Sequence, residues 1–169
     1  SLGSEKYTTL HEEMESVRNY CRIIKTRYHD RVEIFFQEDE TVKNAMIPKM
    51  ILQPIVENAV AHGLEQDNER GSIWVESRRE NGALVICVSN TGLPITPEQE
   101  RRVNLLLKEY VDSEGNDVIS ATHNIGMRNV HARLQILYRK KAGVRFSARE
   151  GGGAVVRLAI PDTKPEDIG

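Results

Sequence analysis

Residues 51–63, ILQPIVENAVAHG, set a Glu-Asn pair and a His into an apolar run of helix length. Helical residues lie about 100° apart around the axis. Leu52, Ile55, Val56, Ala59 and Val60 then form one apolar stripe, and Glu57, Asn58, Ala61 and His62 fall on the other side. Asn58 and His62 are i,i+4 neighbours, so both can reach one object. Gly63 closes the helix. A face that is polar yet small suits a ligand better than bulk solvent. The run therefore predicts a helix packed on a core by one side, with a site on the other.

The flanking segments predict what that core is. RVEIFFQED (31–39), GSIWVESRRE (71–80) and ALVICVSN (83–90) read as strands, the last two joined in a hairpin around Asn81-Gly82. GVRFSARE and GAVVRLAIP make a second hairpin across EGGG. IGMRNVHARLQILY returns to helix, with Ile125, Val130, Leu134 and Leu137 as its expected core face. Pro48 and Pro54 both fit an early helical turn, with a kink at Pro54 the alternative. Residues 91–124 hold two prolines, a short charged helical stretch and polar DSEGND, which predicts a lid or mobile loop. Helices on one face of a largely antiparallel sheet give an α+β two-layer sandwich, with the other sheet face needing no cover.

Residues 4–28 read as one helix. Leu10, Met14, Val17, Cys21 and Ile24 follow the a/d seam of a coiled coil, and the remaining positions are charged. We expect a partner helix on that seam rather than the chain's own domain. Residues 1–30 are thus assigned to a dimerisation helix, 31–162 to the globular domain and 163–169 to a frayed tail. The opening SLGS (1–4) reads as a cloning remnant, which predicts a fragment of a longer protein.

Composition narrows the function. A hydrophobic content of 39% supports a core, and a net charge of -2 gives no argument for nucleic acid or an anionic membrane. No apolar run approaches the ~20 residues of a membrane helix. Cys21 and Cys87 are far apart, with no CxxC, so a reducing, cytosolic setting is the default.

Three glycine loops join the polar helix face: SNTGLP (89–94) after a strand, HNIGMRN (123–129) leading into a helix, and EGGGAVV (150–156) between strands. Glycine where a strand feeds a helix lets backbone approach a phosphate, and a helix N-terminus offers free N–H groups. Singly each is a turn; the order is specific. It resembles the histidine-kinase catalytic domain of the ATPase superfamily that includes gyrase, Hsp90 and MutL, with the LytS/YesM-type sensor kinases the nearest match. IPKMILQPIVENAVAHGL is similar to that family's N box, and IGMRNVHARLQILY to its second glycine box.

The resemblance implies a Bergerat-type fold binding ATP and Mg²⁺. On it, Asn58 is the Mg²⁺ ligand, and His62 faces the phosphates. Asn90 reads the adenine amino group, and Gly92 gives backbone access to the base. Asn124, Gly126, Met127 and Arg128 surround the phosphates. For Glu57 two roles stay open, orienting the acceptor or orienting Mg²⁺-bound water. Hydrolysing relatives carry a water-activating Glu where this chain has Pro54. The implied reaction is therefore transfer of the γ-phosphate to a His on an upstream helix, since no NPHFLFN-like motif occurs here and His11 lacks that context. A homodimer through the N-terminal helix, a response-regulator partner and a place as the cytoplasmic part of a bacterial membrane protein are also implied. Departures from the family pattern are Asn90 for Asp, Pro94 for Gly, Asn124 for Gly and Ala154 for Thr. They support the alternative of a degenerate, non-catalytic nucleotide-binding or dimerisation module.

Overall fold

The computed structural model describes residues 6–64, 70–112, 125–162 and 164–168. In chain order the elements are β1 (Tyr7–Thr9), α1 (Leu10–Tyr28), β2 (Val32–Gln37), β3 (Met46–Pro48), α2 (Leu52–Gly63), β4 (Gly71–Glu80), β5 (Ala83–Asn90), α3 (Pro97–Asp112), α4 (Ile125–Tyr138), β6 (Gly143–Ala148) and β7 (Ala154–Pro161). Five strands form one mixed sheet in the order β2-β4-β5-β7-β6; β2 runs parallel to β4, and the other neighbours are antiparallel. This is the expected α+β sandwich. Among the described residues no helix is long and apolar enough to cross a membrane.

Alternation along the strands sorts the two faces. Ile73, Val75, Ile86, Val88, Val156 and Leu158 are buried against the helices. The opposite face is dressed by side chains alone: Phe35 stacks on Trp74, Arg149 lies 4.7 Å over the Trp74 ring, and Arg78 donates to Cys87 Sγ at 3.6 Å. The β4–β5 turn has Asn81 at φ 50° and Gly82 at φ 74°, the left-handed pair a two-residue hairpin requires.

Several expectations change. The first helix starts at Leu10, because Tyr7–Thr9 pair with Met46–Pro48 in a small antiparallel ribbon. Thr9 then caps the helix, its hydroxyl accepting the Glu12 N–H at 3.2 Å. Thr9-x-x-Glu12 is a capping-box spacing, a start signal that was legible in the sequence. Pro48 ends β3 rather than opening a helix; Pro54 does lie in the first turn of α2.

The a/d seam is covered by the chain's own domain. Leu10, Met14 and Val17 have no exposed surface, and Cys21 and Ile24 are buried in the same core as Leu52 and Ile55. A helix lying on a domain shows the same apolar spacing as one facing a partner, so the pattern could not choose. Ile125, expected in the core, is 48% exposed, and Met127 and Tyr138 are buried instead. The tail does not fray as a whole. A 3-10 turn at Pro165–Asp167 returns the chain, and Ile168 is buried.

Candidate functional site

Helix α2 sets the site against the sheet. Its stripe is buried as the spacing requires, and its other side divides. Glu57 and Ala61 are exposed, His62 is half-buried, and Asn58 is buried at 8% exposure. Asn58 Oδ1 is enclosed and has no hydrogen-bond partner among the described residues. A buried acceptor left bare costs about 1–3 kcal/mol, so this atom calls for a physical explanation.

The end of α2 lies beside the start of β4, since a Cβ on Gly71 would be 2.7 Å from Gly63 O. The loop after β5 is fixed there too. Thr91 N–H donates to Ser72 O at 3.0 Å, and Ser72 N–H returns to Thr91 Oγ1 at 3.0 Å. Asn90 is 3% exposed, and its Nδ2 donates to Thr91 O at 2.9 Å. That engagement leaves Oδ1 as the side chain's acceptor.

Two glycine loops expected to cooperate do meet. Gly153 N–H donates to Leu93 O at 3.1 Å, and a Cβ on Gly153 would fall 1.9 Å from Asn90 O. Gly151, Gly152 and Gly153 have φ of 88°, 108° and 98°, a run of left-handed backbone that side chains resist. The glycines thus let the β6–β7 turn seat on the Asn90–Pro94 loop. Between them lies a narrow cleft of about 50 Å³ walled by His62, Asn90, Gly92, Leu93, Ile95 and Phe146, with Gly153 and Ala154 at its edge. Sequence reading did not include Leu93, Ile95 and Phe146; two large apolar residues inside a polar loop were the available signal for the first two.

Gly126 serves helix packing: a Cβ there would lie 3.0 Å from Pro54 Cβ, so its absence brings α4 onto the first turn of α2. Met127 and Arg128 are buried, at 0% and 4% exposure. Asn124 lies outside the described residues. Glu57 does not join the cleft. It accepts from Gln53 Nε2 at 3.0 Å on the exposed side, and after burial itself its charge helps push the Tyr20 phenol of α1 up to about 12.

Could these residues hold Mg²⁺? Among the described residues no cluster of three or more His, Cys, Asp or Glu could do so with protein ligands alone. One bare amide oxygen fits an ion whose other ligands are phosphate oxygens and water. The donor set therefore suits a metal that arrives with a nucleotide. A larger hollow of about 440 Å³, walled by Tyr7, Met46, Leu84, Tyr138 and Ile160, contains none of these features.

Comparison with known proteins gives the family and the fold. A sensor-like histidine kinase of Staphylococcus epidermidis is 30% identical over 162 residues, covering 95% of this chain and 30% of that protein. The sensor histidine kinase YesM of Bacillus subtilis is 27% identical over 153 residues, covering 90% of this chain and 24% of that protein. The chain thus spans under a third of these relatives' length. Among solved structures, the nucleotide-free catalytic domain of histidine kinase ThkA superposes with a TM-score of 0.63 at 18% identity, covering 94% of this chain and 97% of that domain; it shares the fold. The family described as histidine kinase-, DNA gyrase B- and HSP90-like ATPase matches residues 44–164. This chain belongs to that ATPase family, and the relatives named above are sensor histidine kinases.

Proposed function

We propose that the chain binds Mg-ATP and, within a longer sensor kinase, transfers the γ-phosphate to a His on a helix outside these residues. The observation that carries this is Asn58, whose buried oxygen, on the helix beside the glycine loops, has no hydrogen-bond partner among the described residues. Asn58 would hold Mg²⁺ together with phosphate oxygens, and a bound Mg²⁺ supplies neutralisation of the charge on the transferring phosphoryl group. His62, one turn on, would face the same phosphates. Asn90 Oδ1 would accept from the adenine amino group, and Gly92 would admit the base. The backbone at Gly126, Met127 and Arg128, with Asn124, would border the phosphates. Pro54 gives no base for water, so the reading favours a protein acceptor. Glu57 lies on the side nearer α1, close enough to act on Tyr20 there, and would act on the acceptor.

The same reading extends to a parent that dimerises, meets a response regulator and is anchored in a bacterial membrane with this part in the cytoplasm; the support is that the relatives are named as sensor histidine kinases and that histidine kinase ThkA, which shares the fold, is known in complex with a response regulator. A dimer through α1 would have to use the face carrying Ser16, Asn19 and Ile23, which is exposed, because the a/d seam is filled. A second reading, a degenerate module, draws support from the narrow cleft, the uncharged Asn90 and the apolar Ala154.

The test has two stages. Calorimetry should show Mg-dependent ATP binding by the chain and none by Asn58→Ala, with both folded by circular dichroism. With γ-labelled ATP the chain should not label itself, yet should label a supplied acceptor helix in an acid-labile, base-stable form. Binding without any transfer would favour the degenerate module; unchanged binding by Asn58→Ala would remove the site.

A further inference from the structure

Among the described residues the outer edge of β6 has no neighbouring strand, and an open edge normally leaves a row of unpaired backbone groups. Here side chains from two helices close it. Phe146 N–H donates to Asn104 Oδ1 at 2.9 Å, and Asn104 Nδ2 donates back to Phe146 O at 2.7 Å. Two residues earlier, on the same edge, Val144 N–H donates to His131 Nδ1 of α4 at 2.9 Å. Asn104 thus takes the place of a strand residue, satisfying both backbone groups of Phe146 at once.

The clasp joins two walls of one cleft. Phe146 is 4% exposed and lines the space beside Asn90 and Ala154. Asn104 belongs to α3, whose start is set by a reciprocal cap: Gln99 N–H donates to Thr96 Oγ1 at 3.1 Å, and Thr96 N–H to Gln99 Oε1 at 2.9 Å. Immediately before that cap come Leu93 and Ile95, the facing wall. Van der Waals packing of Leu107, 2% exposed, holds α3 to the core without specifying its register; two directional hydrogen bonds to one residue do specify it.

We infer that Asn104 is a positioning residue for the nucleotide base: it locks α3, and through it the Leu93–Ile95 wall, at a fixed distance from Phe146. The inference rests on the nucleotide-site reading above. Because the clasp lies at the Asn90 end of the cleft, its loss should weaken adenosine and ATP by the same factor and leave the Mg²⁺ dependence alone. Loss of two neutral hydrogen bonds predicts an affinity drop of about five- to tenfold. Asn104→Asp keeps the acceptor for Phe146 N–H, loses the donor to Phe146 O and should fall between.

The experiment measures adenosine and Mg-ATP binding by wild type, Asn104→Ala and Asn104→Asp, each at a temperature where circular dichroism shows it fully folded, with amide exchange followed at Phe146. Should Asn104→Ala not fold, Asn104→Asp carries the comparison. Equal loss for both ligands, with faster exchange at Phe146, supports the inference. Wild-type affinity in the folded variants, or a loss confined to Mg-ATP, overturns it while leaving the nucleotide site standing. Wild type that binds neither ligand overturns both.

Discussion

Glu13 of α1 accepts the backbone N–H of Met50 at 2.6 Å through Oε1, and its Oε2 lies 3.5 Å from the N–H of Leu52. A buried carboxylate from one helix thereby caps the start of another, since Ile51 at the N-cap of α2 has no side chain to do so. The helix that carries Asn58 is oriented by α1. The segment read from sequence as a coiled-coil element is part of the foundation of the site.

Removing that cap should loosen α2. Glu13→Ala leaves two N–H groups of a buried helix start without an acceptor, and should lower stability by about 2 kcal/mol. Glu13→Gln, which keeps one acceptor oxygen but not the charge at the helix N-terminus, should lose less. Urea denaturation with an unchanged slope measures both; equal stability for all three proteins would contradict the capping role.

Asn90→Asp has opposed consequences. A carboxylate offers a stronger acceptor to an adenine amino group, so Mg-ATP affinity should rise several-fold. The same change removes the Nδ2 donor now bonded to Thr91 O and sets a charge against that carbonyl in a buried place, at a cost of roughly 1–3 kcal/mol to the free domain. Titration calorimetry and thermal melts should therefore move in opposite senses.

Glycine at 153 is demanded twice, by φ of 98° and by the 1.9 Å approach of a Cβ to Asn90 O. Gly82 has φ of 74° with open space around it. Gly82→Ala should cost about 1 kcal/mol of turn strain, whereas Gly153→Ala should cost about 3 kcal/mol or more and disturb the Asn90 loop. Comparable melting points for the two variants would show that the turn does not seat on the loop.

His131 gives the fold a pH dependence. Burial holds its imidazole below the ordinary value, and Nδ1 is occupied as acceptor for Val144 N–H. A group that takes up its proton more readily when unfolded contributes stability that is complete above about pH 6.5 and is lost as pH falls below it. Denaturation from pH 8 to 5 should show this loss in wild type and a smaller one in His131→Gln. Parallel pH curves for the two proteins would contradict it.

Much of this molecule is local and could be read from the chain. The bounds of β4 and β5 follow from alternation, the turn between them from Asn81-Gly82, and the buried stripe of α2 from a period near 3.6. Thr9-x-x-Glu12 and Thr96-x-x-Gln99 carry capping-box spacings at helix starts, local signals that the reading above did not use. The order of the Asn helix and the glycine loops was enough to identify the family. The tertiary structure decided everything that depends on which surface lies opposite. An apolar seam from Leu10 to Ile24 records that it is covered, but the partner is chosen by chain closure, and here it is the chain's own core. Asn58 and Glu57 are adjacent on a polar helix face, yet packing buries one and exposes the other. Tyr7–Thr9 became a strand because Met46–Pro48 lies within reach, and Asn104 became a substitute strand residue because β6 ends the sheet. Periodicity encodes burial along one element; the identity of the neighbour is set by long-range contacts that no local pattern carries.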